Sequence, residues 1–259
     1  MKRRTIIFTV LLLVLLAAAA PVGAQVSDSA APDDAPAARP PWYAGISAGM
    51  FYSMHAGGFA WPHACAECGV YDGGSGIGTA LDLRVSIPVT RRLRVEPRLY
   101  GECHRARFTS DPIHVDIIGH DMQPQDVVLE DELTYTLRLI GIEAMAAVAV
   151  GPRGFSLLAG PAIGFRVTES ATVTERIVSP DGVLFLDGSR EHTVADGDAD
   201  KARALHAGIR AGAAYMLPLG RDLQLGLEAT WLLPLRTVAD GAEWRTSGVR
   251  VLASLLFAM

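Results

Sequence analysis

The sequence predicts an all-β chain: an eight-stranded antiparallel up-and-down transmembrane β-barrel with short periplasmic turns and long extracellular loops. Three observations predict it. Segments of strict apolar/polar alternation recur from residue 42 to residue 259. The connections between them alternate between short and long, the layout of an outer-membrane barrel. The chain also opens with an export segment.

That opening is Met1-Lys2-Arg3-Arg4, a positive cluster, followed by an apolar run from Ile6 to Ala20 and the small residues Pro21-Val22-Gly23-Ala24-Gln25. A membrane span needs roughly 20 apolar residues, and this run is shorter. Residues 1 to 24 therefore read as a signal peptide cleaved after Ala24, in preference to a retained anchor. No Cys stands near Gln25, so a lipoprotein anchor is not indicated. Residues Gln25 to Pro41 are rich in Ala, Pro and Asp and lack aromatics, which makes them a flexible linker. Losing Lys2, Arg3 and Arg4 leaves the mature chain three charges more acidic than the formal -5 of the whole. No basic run remains to suggest nucleic acid as a partner. Three Cys are too few for a disulfide scaffold, and residues 42 to 259 fit one domain.

The first segment sets Trp42, Ala44, Ile46, Ala48, Met50 and Tyr52 against Tyr43, Gly45, Ser47, Gly49 and Phe51. The second sets Ile77, Thr79, Leu81, Leu83, Val85 and Ile87 against Gly78, Ala80, Asp82, Arg84 and Ser86. After Thr90-Arg91-Arg92 the third opposes Leu93, Val95, Pro97 and Leu99 to Arg94, Glu96, Arg98, Tyr100, Glu102 and His104. In the fourth, Leu133, Tyr135, Leu137 and Leu139 alternate with Thr134, Thr136 and Arg138 before the parity shifts through Ile140-Gly141-Ile142-Glu143. A bulge near Gly141 is expected to restore the alternation and turn Glu143 inward. The fifth runs from Phe155 to Thr168, the sixth from Leu205 to Leu217, the seventh from Leu223 to Trp231 and the eighth from Gly248 to Ala258, each with the same two faces. Helix competes for the fourth and sixth, but the cleaner segments favour strand.

Short turns fall at 90 to 92, 151 to 154 and 219 to 222. Long loops follow the first segment and fill 110 to 130, 169 to 203 and 236 to 243. A soluble sandwich buries its apolar face against a second sheet and keeps its polar positions outside. Here the face opposite the apolar one carries charge, glycine and serine, too polar for a packed core, while the apolar face is long enough for tilted strands of about 9 to 11 residues to cross a bilayer. Trp42, Tyr43, Phe155, Tyr215, Trp231 and Phe257 fall toward segment ends, as an interfacial girdle requires.

The stretches RLRVEPRLYGE, LTYTLRLIGIEA, FSLLAGPAIGF and LQLGLEATW resemble the outer-membrane β-barrel domain family of small, eight-stranded, OmpA/PorT-like barrels common in Bacteroidetes-type bacteria. The resemblance covers about 42 to 259 and departs at Glu143-Ala144, where the family often carries a proline. It implies fold and location more than activity.

The inward face collects Asp82, Arg84, Arg94, Glu96, Arg98, Glu102, His104, Arg166, Arg210, Glu228 and Arg250, joined by Glu143. Eight strands leave a lumen only wide enough for side chains to fill, so these charges are expected to form an ion-pair network across it. A proton or ion path is the alternative. Glu102 and His104, with His206 opposite, also fit an acid/base pair, although no serine or cysteine nucleophile is placed against them. Cys65 and Cys68 follow His63 at a spacing that suits a loop-stapling disulfide, with a metal or redox site or free thiols as alternatives. Cys103 falls on the lipid side as a small apolar residue.

No catalytic, cofactor-binding or metal-binding motif is complete. The expected function is structural or interactive: an integral outer-membrane barrel, not an enzyme, that anchors in the envelope, keeps a plugged polar lumen and displays its loops. Its expected partners are outer-membrane lipid and an extracellular or envelope protein. The alternative is a lipid-active enzyme or a small transporter or channel. The segment Glu169 to Arg203 is acidic, with Glu169, Glu175, Asp181, Asp187, Glu191, Asp196, Asp198 and Asp200 against Arg176, Arg190, Lys201 and Arg203; this suits a cation or a basic surface, or a merely solvated loop.

Overall fold

A computed structural model describes residues 41–59, 71–118, 123–151, 154–198, 202–239 and 243–259. The expected signal segment, most of the linker, and His63, Cys65 and Cys68 lie outside the described residues.

Among the described residues ten strands form one antiparallel sheet: β1 (Tyr43–Phe59), β2 (Tyr71–Pro88), β3 (Leu93–Thr109), β4 (Ile113–Ile118), β5 (Pro124–Ala149), β6 (Phe155–Ser179), β7 (Glu191–Asp198), β8 (Leu205–Pro218), β9 (Leu223–Pro234) and β10 (Arg245–Ala258). Their order is β4-β5-β3-β2-β1-β10-β9-β8-β6-β7, and a further β5–β6 pairing closes eight of them into a barrel. Strands β4 and β7 stand outside that ring as extra strands on β5 and β6. Closure removes the free edges of the ring itself, and the edges that remain belong to β4 and β7.

The three short turns gather at one end. At the turn after β5, Gly151 and Gly154 adopt φ values of 65° and 92°, a region that L side chains rarely enter. Around the wall, every other residue points outward into an uninterrupted apolar belt: Leu81 is 55% exposed, Ile142 57%, Leu227 59% and Val251 51%. Trp42, Tyr215 and Phe257 are exposed near the short-turn end of the belt, whereas Tyr43 turns inward against the core.

Toward the long-loop end the polarity of the wall reverses. On β3 the outward face passes from Val95 and Leu99 to Arg105 and Arg107, while Ala106 and Phe108 are buried inside. On β5, Leu133, Tyr135, Leu137 and Leu139 point inward and are buried, and Thr134 and Arg138 point outward. The bulge expected near Gly141 is absent: β5 keeps one parity through Gly141 to Glu143. The apparent parity shift records a change in what surrounds the wall. The irregularity lies instead in β6, where Arg138 pairs with Thr168 and Leu139 with Arg166, leaving Val167 unpaired. This insertion lets β6 switch its inward positions from Ala162 and Gly164 to Glu169, Ala171 and Val173.

The regions expected as loops at 110 to 130 and 169 to 203 are therefore largely strand. Both β5 and β6 run well past the belt, paired as far as Val128 with Ser179. Their inner faces close over an aromatic plug of Tyr71, Phe108, Leu133, Tyr135, Leu137, Val173 and Trp244. A second apolar plug of Met145, Ala147, Leu158, Ala214, Met216 and Leu256 closes the short-turn end. Between the plugs, Gly141 and Gly164 face each other across β5 and β6, and a Cβ on either would come within 2.5 to 2.7 Å of the Tyr100 side chain. The bare backbone there makes room for the phenol ring.

Candidate functional site

The space between the two plugs is filled by charge. Strand period places Asp82 and Arg84 on the inner face of β2, Glu96, Arg98, Glu102 and His104 on β3, Glu143 on β5, Arg210 on β8, Glu228 on β9 and Arg250 on β10. All ten are at most 4% exposed. Long Arg and Glu side chains from opposite walls meet because the lumen of eight strands is narrow.

Two guanidinium forks organise the network. Arg98 donates to both oxygens of Glu228, at 2.7 and 2.8 Å, and to Glu96 at 2.7 Å. Arg250 donates to both oxygens of Glu143, at 2.6 and 2.9 Å, and reaches Glu102 at 3.3 Å. Arg84 adds a 2.9 Å bond to Glu228. Arg210 bonds Glu102 at 2.6 Å, stands 3.1 Å from Glu143, and lies over the Phe51 and Tyr100 rings. Ser86 donates to Glu96. Fork-on-carboxylate geometry recovers part of the several kcal/mol that burying each ion costs.

Glu102 and His104 contact each other at 2.9 Å, and His104 stacks on Phe51 with ring centroids 4.2 Å apart. His206 does line a small cavity of about 40 Å³ with Glu102, His104, Arg210 and Tyr100. No cysteine lines that cavity, and Glu102 is already held by Arg210 and Arg250. The arrangement is a hydrogen-bonded pair lining a small, mostly apolar cavity, and no serine or cysteine is among the residues that line it.

Two of the expected network members stand apart. Arg94 is half-buried nearer the short-turn end and donates to Ser156 at 3.3 Å, without a carboxylate partner among the described residues. It is only two residues from Glu96, but the wall beside it holds the apolar lower plug. Arg166, level with Leu139 and so above the central layer, pairs with Glu169 at 2.7 Å, which the extra residue Val167 turns inward beside it. Glu169 also accepts from the Tyr135 hydroxyl and the Ala202 amide, which ties β5, β6 and the segment just before β8 together. Sequence reading placed Glu169 in an acidic loop; its inward parity after the unpaired Val167 is the signal that identifies its role. Cys103 faces outward from the belt, partly exposed.

The aromatic plug holds one further polar group. His55 accepts at Nδ1 from the Trp244 indole at 2.9 Å and is 2.9 Å from the Thr246 hydroxyl. It lies beyond the belt, and burial together with the nearby His104 pushes its pKa down to about 3, so the ring stays neutral. On the far part of the same face, burial and the neighbouring Asp131 push the Glu175 carboxyl up. Among the described residues no group of three His, Cys, Asp or Glu side chains is arranged to hold a metal ion.

No family model matches the sequence, and no curated protein matches it; the family resemblance of the short motifs thus rests on those motifs alone. The solved structures similar in shape include three outer-surface proteins. Neisserial surface protein A is 10% identical, with a TM-score of 0.37 over 84% of this chain and 97% of that one. The attachment invasion locus protein Ail of Yersinia pestis is 10% identical, with a TM-score of 0.33 over 83% and 98%. The outer membrane protease OmpT of Escherichia coli is 8% identical, with a TM-score of 0.36 over 85% and 97%. At such identities and scores no function carries across to this chain.

Proposed function

We propose that the protein is an integral outer-membrane barrel of structural and interaction type, exported through a cleaved signal peptide, with a sealed lumen and a projecting extracellular head. One observation carries this reading: the reversal of wall polarity. Below Arg105 and Arg138 the outward residues are apolar and exposed while the inward ones are ionic; above that level the outward residues are polar and the inward ones aromatic. A wall in water throughout would not expose its leucines, and a wall in lipid throughout would not expose its arginines. The reversal marks the edge of a hydrocarbon layer, with the short-turn end as the periplasmic side.

Above that edge the paired strands β5 and β6, flanked by β4 and β7, form a sheet that carries much of the acidic segment beside the aromatic plug. Such a platform suits contact with a protein partner through its rim and loops. The network below it joins opposite walls by paired charges, which suits a plug more than a conduit. The cavity beside the Glu102–His104 pair has no serine or cysteine among its lining residues, and the reading assigns the pair a structural role.

The test is fractionation of cells expressing the full chain, together with electrophoresis before and after boiling. The expected result is recovery in the outer-membrane fraction and a gel mobility that shifts on boiling. Recovery of the mature chain as a detergent-free soluble protein overturns the reading.

A further inference from the structure

Two arginines stand on the outer wall at the level where the apolar belt ends. Arg105 on β3 and Arg138 on β5 both point outward and are exposed. Arg107, two residues above Arg105, pairs with Glu132 at 3.0 Å, whereas neither Arg105 nor Arg138 has a carboxylate partner among the described residues. Register brings the two together: Arg138 is paired directly with Cys103, and Arg105 with Thr136. They are thus diagonal neighbours on one face of the sheet, about 7 to 8 Å apart at the backbone, a separation that long side chains span. Two cations side by side at the edge of an apolar surface repel each other, and an anion shared between them removes the repulsion.

The wall beneath them is apolar and indented. Ile140, the next outward residue below Arg138 on β5, is 48% exposed. Below it the outer face of the belt carries an open depression of about 640 Å³, whose lining includes Leu83 on β2, Pro97 and Leu99 on β3, Ile142 and Ala144 on β5, and Ile163 on β6. Pro97 and Ala144 are paired directly, so two short side chains meet there with longer ones around them. From Arg138 down to Ile142 and Ala144 is about 13 to 20 Å along the strand. In a strand tilted by about 40° that is about 10 to 15 Å of depth, within one leaflet of a hydrocarbon core about 30 Å thick.

We infer that Arg105, Arg138 and the depression below them form a site for one anionic, phosphate-bearing lipid of the leaflet on the long-loop side. The phosphate lies between the two guanidinium groups, whose planar forks match its oxygens, and an acyl chain follows the wall into the depression. A free anion gains nothing from the depression, and a lipid without net charge gains little from the arginines. The inference rests on the reading that the belt lies in a membrane, and it names the lipid that the belt's edge selects.

The experiment uses the folded full-length mature protein in neutral maltoside micelles. The temperature at which the folded gel band is lost is titrated with phosphatidic acid, with phosphatidylcholine and with inorganic phosphate, at equal ionic strength. The expected result is a saturable rise with phosphatidic acid, a smaller one with phosphatidylcholine and none with inorganic phosphate. The double variant Arg105→Gln/Arg138→Gln should raise the phosphatidic acid concentration for half-effect about tenfold. Ala144→Phe, which fills the depression and keeps both charges, should raise it several-fold. Equal rises with the two lipids overturn the proposal, as does an equal rise with inorganic phosphate, which would assign the arginines to a free anion. An unchanged phosphatidic acid response in either variant overturns it too. A parent protein that shows a heat-modifiable band without preferring the anionic lipid sinks this inference alone, whereas a mature chain recovered soluble without detergent sinks the membrane reading along with it.

Discussion

Leu83 and Arg84 are consecutive residues on β2 with opposite surroundings: Leu83 is half-exposed on the belt, and Arg84 is buried against Glu228 and Glu96. In the membrane, Leu83→Arg is expected to cost about 2 to 4 kcal/mol near the bilayer midplane. Arg84→Lys should cost less, since Arg84 meets its carboxylates through a single nitrogen that an ammonium can replace. Arg98→Lys should cost more than Arg84→Lys, because Arg98 uses a bidentate fork that lysine cannot reproduce. Urea unfolding in lipid vesicles ranks the three, and equal stabilities at 83 and 84 would contradict the assigned faces. His55 supplies a pH dependence. Its folded pKa is depressed to about 3 from 6.5, so the folded state resists protonation more than the unfolded state does. Its contribution is thus intact above pH 6.5 and is lost as pH falls, by about 1.4 kcal/mol for each unit between 6.5 and the folded value. The measurement is the stability difference between the parent and His55→Gln against pH. A difference that stays flat from pH 7 to pH 4 would show that the imidazole is not held neutral in the plug.

Alternation within each strand was legible in the sequence because an exposed apolar face and a buried ionic one leave opposite marks on neighbouring residues. Leu81, Leu83 and Val85 against Asp82, Arg84 and Ser86 are the clearest case. Alternation cannot say which face is outside, and above the belt the same pattern carries the opposite meaning. In β5, Leu133, Tyr135, Leu137 and Leu139 have the spacing of a lipid-facing row, yet they line the aromatic plug. A local bulge at Gly141 and a change of solvent produce the same string of residues, and only the pairing to β6 separates them. The central network was legible residue by residue because each member shares its strand's polar parity. Arg94 and Arg166 were not separable from the rest, since height along the barrel is fixed by the neighbouring strands and not by parity. Single-cysteine variants test the solvent change along β5: Thr134→Cys and Arg138→Cys should react with a membrane-impermeant maleimide on intact cells, whereas Ile142→Cys should not. Strong labelling at 142 with none at 134 would place the membrane at the wrong end of the strand.

At the scale of the whole molecule, an apolar plug, an ionic layer and an aromatic plug fill the barrel in turn along its axis. Water meets a barrier in each apolar layer, and the ionic layer is cross-linked between walls by Arg98 to Glu228 and Arg250 to Glu143. The purified protein in a planar bilayer is therefore expected to give no steady ion conductance. Removing one fork should not by itself open a path, because the plugs above and below remain; Arg250→Ala should lower stability by about 3 to 5 kcal/mol through the unpaired carboxylates it leaves. The head obeys a different constraint. Residues 172 to 198 include Val173 of the aromatic plug and all of β7, so deleting that whole stretch should disrupt the fold as well as any contact. The connection between β6 and β7 is separable: Leu184 and Leu186 are exposed there, and Arg190 pairs with Asp181 at the surface. Replacing residues 181 to 188 with a short Gly/Ser linker should leave the heat-modifiable band and the outer-membrane location unchanged while weakening contact with a partner. Steady conductance of the parent protein would mean that the plugs do not seal the lumen, and loss of the folded band in the linker variant would mean that this connection supports the barrel and does not merely extend from it.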